Sequence, residues 1–76
     1  MEGITREKLV EVGARIKAER KAREWTIDEL GQRADISAQF LGHVERGTRK
    51  MSLDTLYRLC VALEVSADYL LGISFH

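Results

Sequence analysis

The sequence predicts an all-α fold, a compact bundle of five helices, on three observations. One pattern recurs four times: an apolar residue, a Ser or Thr, three further residues, then Leu. The copies are Trp25-Thr26…Leu30, Ile36-Ser37…Leu41, Met51-Ser52…Leu56 and Val65-Ser66…Leu70. This is the spacing of an N-cap hydroxyl whose flanking apolar residues close as a hydrophobic staple. The chain also has no proline, and no β-branched run of strand length. Finally, the helix starts leave loops of only about two to five residues, so successive helices must fold back on one another.

Helix one is expected over about Glu7 to Ala22, with Leu9, Gly13, Ile16 and Arg20 on one face at spacings of three and four. Helix two, about Ile27 to Ala34, starts at Thr26, where Glu29 completes a capping box. It buries Leu30 and keeps Gly31 as a small contact residue. Helix three, about Ala38 to Arg46, follows Ser37 and stops at Gly47, which suits the left-handed position after a helix. Thr48 to Met51 form a short loop made basic by Arg49 and Lys50. Helix four, about Leu53 to Glu64, buries Leu56, Leu59, Cys60 and Leu63. A last short helix begins after Ser66 and ends near Gly72. Asp28, Asp54 and Asp68 each lie two residues past a cap, where the positive helix end favours a carboxylate. Residues 1–76 form one domain, with a core over about 7–72.

Hydrophobic residues at 45% and charged residues at 32% argue against disorder. The apolar runs are too short to span a bilayer, and Met1-Glu2-Gly3-Ile4 lacks the start of a signal peptide. The single Cys60 rules out an internal disulfide framework and suits a reducing cytoplasm, the expected location. Twelve Lys/Arg against twelve Asp/Glu count against indiscriminate nucleic-acid binding. The distribution is uneven, with nine basic against six acidic residues from Arg15 to Lys50, and one against three from Met51 onward. That split fits either a mildly basic front with an acidic back or ordinary solvated helix faces. Catalysis has little support. Cys60 falls on a buried stripe, His43 and His76 are far apart, and no Cys/His cluster has metal-ligand spacing. No enzyme activity, metal or cofactor is expected.

Two short helices joined by a turn of about three residues match the helix-turn-helix motif. Its first helix must pass close to the second, which Gly31 permits, and its turn needs a left-handed residue, which Asp35 tolerates. Helix three then buries Phe40, Leu41 and Val44 and projects Ala38, Gln39, Gly42, His43 and Arg46, a face that can enter a major groove. With these residues in place, Val12 to Leu71 resembles the phage-repressor and Cro-type helix-turn-helix family, the xenobiotic-response-element family of bacterial regulators. The resemblance rests on VGARIKAER, TIDELGQRADIS, GHVERG and SLDTLYRLCVALEVSADYLL. It implies a lambda-repressor-like bundle and a sequence-specific regulator of transcription that binds double-stranded DNA. It further implies base contacts from Ala38, Gln39 and His43, and phosphate contacts from Thr26, Arg46, Thr48, Arg49 and Lys50. A partly buried structural ion pair between Arg20 and Glu45 is implied as well. The chain departs from the pattern at Ile27, often Gln in the family, at Asp35, usually Gly, and at Gly31, usually Ala.

Read from the residues alone, each position has a second interpretation. Gln39 has the geometry that pairs with adenine, or is simply an exposed helix Gln. His43 touches a base or phosphate, or is solvated. Arg49 and Lys50 meet phosphate or belong to a solvated turn. Gly42 admits a close approach to DNA or relieves crowding between helices. Trp25 reads as core, with nucleobase stacking the lesser alternative. One such module covers about four or five base pairs, so useful specificity implies a homodimer on a palindromic operator with half-sites about 34 Å apart. Tyr69, Leu71, Ile73 and Phe75 are the expected interface. If the sequence is complete, no small-molecule effector domain is expected, and control must come through concentration, dimerisation or a partner. Among small relatives, the Phe40-Leu41-Gly42 run is similar to restriction–modification controller proteins. The rival reading is a protein-binding module or antitoxin-like partner, from which steep salt dependence would distinguish DNA binding.

Overall fold

A fifth copy of the helix-start pattern, Ile4-Thr5…Leu9, opens the first helix. In the computed structural model, which describes residues 2–75, the Thr5 hydroxyl accepts from the Lys8 amide at 3.1 Å and starts α1, Arg6–Ala22. The expected start at Glu7 is one residue late, because the charged turn Arg6-Glu7-Lys8 hides the apolar spacing. The other four caps hold as the pattern predicts. Thr26 opens α2 (Ile27–Ala34), Ser37 α3 (Ala38–Arg46), Ser52 α4 (Leu53–Leu63) and Ser66 α5 (Ala67–Leu71). In each case the hydroxyl accepts the amide three residues on. Helix α4 stops one residue short of expectation, because Glu64 turns left-handed at φ 55° and closes the helix. No helix among the described residues is long and apolar enough to cross a membrane.

The staples deliver one core. Val12, Ile16, Leu30, Ala34, Leu41, Val44, Leu59, Leu63 and Leu70 are buried, drawn from all five helices. Leu56, Cys60 and Phe40, expected inside, are half-buried and pack on its edge, as does Trp25. Burial pushes the Cys60 thiol above its ordinary range, which disfavours the reactive thiolate. The Arg33 guanidinium lies 4.1 Å from the Trp25 ring centroid, which occupies the face a nucleobase would need.

The closest helix–helix approach runs along α1. A Cβ on Gly13 would stand 2.5 Å from the Glu45 carbonyl oxygen, and one on Gly47 2.7 Å from the Val10 Cα. The backbone of α3 therefore rests directly on α1. Gly31 is crowded too, but by the turn, since a Cβ there would meet the Ile36 carbonyl oxygen at 2.6 Å. A second tie joins α1 to the back of the bundle. Arg23 donates to the Glu19 carboxylate at 2.9 Å and to the last carbonyl of α4, that of Leu63, while Tyr69 donates to the other Glu19 oxygen at 2.8 Å. The Arg23 and then the Tyr69 hydrogen bond hold the Glu19 carboxyl below the usual range.

Candidate nucleic-acid interface

The exposed side of α3 is built by its two ends. Ser37 sets where it starts, and Gly47, left-handed at φ 75°, stops it so that residues 48–50 turn back along it. Arg49 returns to line one hollow with Ser37, Gln39, Phe40 and His43. Gln39 is exposed, while His43 is half-buried and anchored. Its Nδ1 lies 2.9 Å from the Thr48 hydroxyl oxygen, and that hydroxyl donates to the His43 carbonyl at 3.2 Å. Thr48 is thus engaged at the helix end by both contacts. Lys50 stands elsewhere, over an apolar groove with Ile4, Met51 and Leu53.

A second cleft opens where α1, α2 and α3 meet, lined by Lys17, Arg20, Thr26, Ile27, Gly42, Glu45 and Arg46. Thr26 has its backbone amide on Glu29 Oε1 at 3.0 Å and its hydroxyl oxygen on the Glu29 amide at 3.1 Å, leaving the hydroxyl proton to offer. The Thr26 amide, and then its side chain, hold the Glu29 carboxyl below its ordinary range. At the cleft floor Arg20 and Glu45 form a two-pronged pair, Nε–Oε2 2.8 Å and Nη2–Oε1 3.0 Å, with side chains only 11% and 5% exposed. The remaining guanidinium nitrogen, Nη1, donates to the Trp25 carbonyl at 2.9 Å. The Glu45 hydrogen bond raises the Arg20 pKa, so the guanidinium stays charged.

Several placements differ from expectation. Gly42 does not project. It is buried, and the Arg46 guanidinium folds over it, 3.2 Å from where a Cβ would sit, with Ile27 alongside. Ile27 is half-buried and packs on the core. Ala38 is half-buried and turned toward a hollow at the α2–α3 turn with Asp28, Gln32 and Asp35. Asp35 takes the left-handed conformation the turn needs, at φ 55°, and its exposed carboxylate is 3.6 Å from Arg58 of α4. Lys17 is a cleft residue that periodicity alone does not single out, although it precedes Arg20 by three positions. Leu53, Tyr57 and Val61, 81%, 67% and 58% exposed, form an apolar stripe on α4. Their regular spacing of four was the available signal. Of the expected interface residues, Phe75 is 91% and Ile73 41% exposed, Leu71 is half-buried, and Tyr69 is tied to Glu19. Among the described residues no three His, Cys, Asp or Glu side chains gather as a metal site, and His76 lies outside them.

The family model described as "Helix-turn-helix" matches residues 16–70, most of the chain, including the exposed side of α3 and the cleft beside it. The chain belongs to this family, in its phage-repressor and xenobiotic-response-element branch. The same helix-turn-helix domain is 38% identical over 61 residues to the immunity repressor protein of Bacillus phage phi105, covering 80% of this chain and 42% of that protein. Its fold matches the restriction–modification controller protein C.AhdI of Aeromonas hydrophila with a TM-score of 0.81 and 30% identity, over 84% of this chain and 97% of the other. It matches the P22 c2 repressor, solved with a synthetic operator, with a TM-score of 0.75 and 32% identity, over 78% and 89% of the two chains. The five helices are therefore those of a lambda-repressor-like DNA-binding domain. The chain spans about two-fifths to one-half of the length of the curated relatives it matches.

Proposed function

We propose that this domain is a sequence-specific, double-stranded-DNA-binding regulator of transcription that lays α3 in the major groove and acts as a homodimer on a palindromic operator. The observation that carries this is the convergence of Gln39, His43 and Arg49 on one exposed hollow, beside a cleft rimmed by Lys17, Thr26 and Arg46. The first group pairs base-reading chemistry with a phosphate ligand, and the second offers donors along the adjacent backbone. The similarity to the P22 c2 repressor, solved with a synthetic operator, supports DNA as the partner. Gln39 and His43 read base edges, with Ala38 at the margin near the turn. Arg46, Arg49, Lys17 and Thr26 hold phosphates, Lys50 extends the basic loop, and Thr48 serves the helix end. The work lies inside the cell, on DNA, and needs neither catalysis nor a cofactor.

Selection from random duplexes tests this. The wild type should enrich a two-fold symmetric site. Gln39→Ala should relax it at one symmetric position, at a cost of about 1–3 kcal/mol per lost base contact. Arg49→Ala should weaken all sites alike and lower the salt slope by about one per chain. No enrichment at low salt would overturn the reading.

The dimer part rests on Ile73 and Phe75, exposed apolar side chains just beyond α5. Sedimentation at micromolar concentration should find a dimer for the wild type and a monomer for Ile73→Asp/Phe75→Asp, and a wild-type monomer would sink this part. The α4 stripe of Leu53, Tyr57 and Val61 favours a second reading, a protein-binding or antitoxin-like module, whose contact would resist salt where DNA binding would not.

A further inference from the structure

We propose that Thr48 sets the tautomer of His43, so that its outward nitrogen is a hydrogen-bond acceptor that reads an exocyclic base amine, adenine N6 or cytosine N4, and discriminates against guanine. This rests on the reading of α3 as the groove-facing helix. A neutral imidazole has one nitrogen that donates and one that accepts, and the partner of the first decides the role of the second. Here Nδ1 lies 2.9 Å from the Thr48 hydroxyl oxygen, which is also 3.2 Å from the His43 carbonyl. The hydroxyl has one proton. Given to Nδ1, it makes one bond and leaves the hydroxyl without a donor. Given to the carbonyl, it lets the oxygen accept from Nδ1–H, and both bonds form.

The second arrangement also suits the local backbone. The Thr48 amide already donates to the His43 carbonyl at 3.0 Å, so backbone and hydroxyl of Thr48 grip one oxygen. The cap at Gly47, seated against Val10 of α1, fixes where Thr48 stands. The imidazole is thus held from the helix end, with Nε2 on the opposite side of the ring. The hollow around it holds Ser37, Gln39, Phe40 and the one cation Arg49. Among the described residues Nε2 has no protein partner. An acceptor there complements the amine that adenine or cytosine shows in the major groove, whereas guanine presents only N7 and O6 acceptors at that edge.

Two measurements test this. Nitrogen-15 spectra of the DNA-free protein, in mildly alkaline buffer that keeps an imidazole neutral, should show an unprotonated Nε2 on His43. In Thr48→Val the two tautomers should mix, and Thr48→Ser should restore the wild-type spectrum. Selection from random duplexes in the same buffer should find one position per half-site limited to adenine or cytosine on the contacted strand. His43→Ala should flatten that position alone, weakening the selected site about fivefold. Thr48→Val should admit guanine there, and Thr48→Ser should not. A protonated Nε2, or a His43-dependent position that prefers guanine, overturns the inference and leaves DNA binding intact. A wild type that enriches no site overturns both.

Discussion

Replacing Gly13 by valine is expected to abolish the cooperative unfolding transition. The α1 backbone at Gly13 lies so close to α3 that even a methyl group would stand 2.5 Å from the Glu45 carbonyl oxygen and 2.8 Å from its carbonyl carbon. Those atoms belong to a helix backbone and have no rotamer by which to withdraw. Alanine there should cost about 3 kcal/mol by overpacking, and valine substantially more. A chain of this length holds on the order of 4–11 kcal/mol in all. Urea titration followed by far-ultraviolet circular dichroism reads both variants. Gly3→Ala is the control, because nothing lies within 4 Å of its added carbon, and its midpoint should not move. A Gly13→Val protein with the wild-type midpoint would show that α3 can lift off α1 at no cost, contrary to this packing.

The second large effect lies one cleft away. Arg20→Met removes the two-pronged partner of Glu45, a carboxylate whose side chain is 5% exposed, and strands that charge inside the bundle. The expected loss is about 3–5 kcal/mol. Arg20→Met/Glu45→Leu should recover most of it, since two apolar side chains of similar volume need no solvation. A shortfall of about 1 kcal/mol should remain from the lost bond to the Trp25 carbonyl. If the double variant is no more stable than the single, the cost lies in packing or at Trp25 rather than in the stranded carboxylate.

The helix starts were legible in the sequence because each is written locally. A hydroxyl, the amide three residues on and two flanking apolar residues all lie within six positions. Only Thr5 escaped, masked by a charged first turn. Asp35 and Gly47 were legible as left-handed positions for the same local reason. What escaped was set by residues far apart in the chain. The helical face of Gly42 points outward on a wheel, but Arg46 folds over it and Ile27 closes the side. Gly13 was legible on one face of helix one, but not as a contact point, because the surface it meets lies some thirty residues on. Tyr69 has the composition of an interface residue, and only the fold shows its hydroxyl bound to Glu19. Arg49 and Lys50, adjacent in sequence, diverge to opposite surroundings because the loop turns between them. At the candidate interface, side-chain chemistry named Gln39 and His43, and the bond to Thr48 needed coordinates.

The ends of the helices bear on how long a molecule of this protein survives. Glu24, Asp35 and Glu64 hold positive φ angles of 59°, 55° and 55°, positions where a side chain costs about 1 kcal/mol over glycine. Each also sets a carboxylate at the negative pole of a helix. Together they raise the share of molecules transiently open on the order of a hundredfold. Proteases act on that open share whenever opening and closing outpace cleavage. Glycine at these three positions is therefore expected to lower the open share and slow proteolysis of the domain.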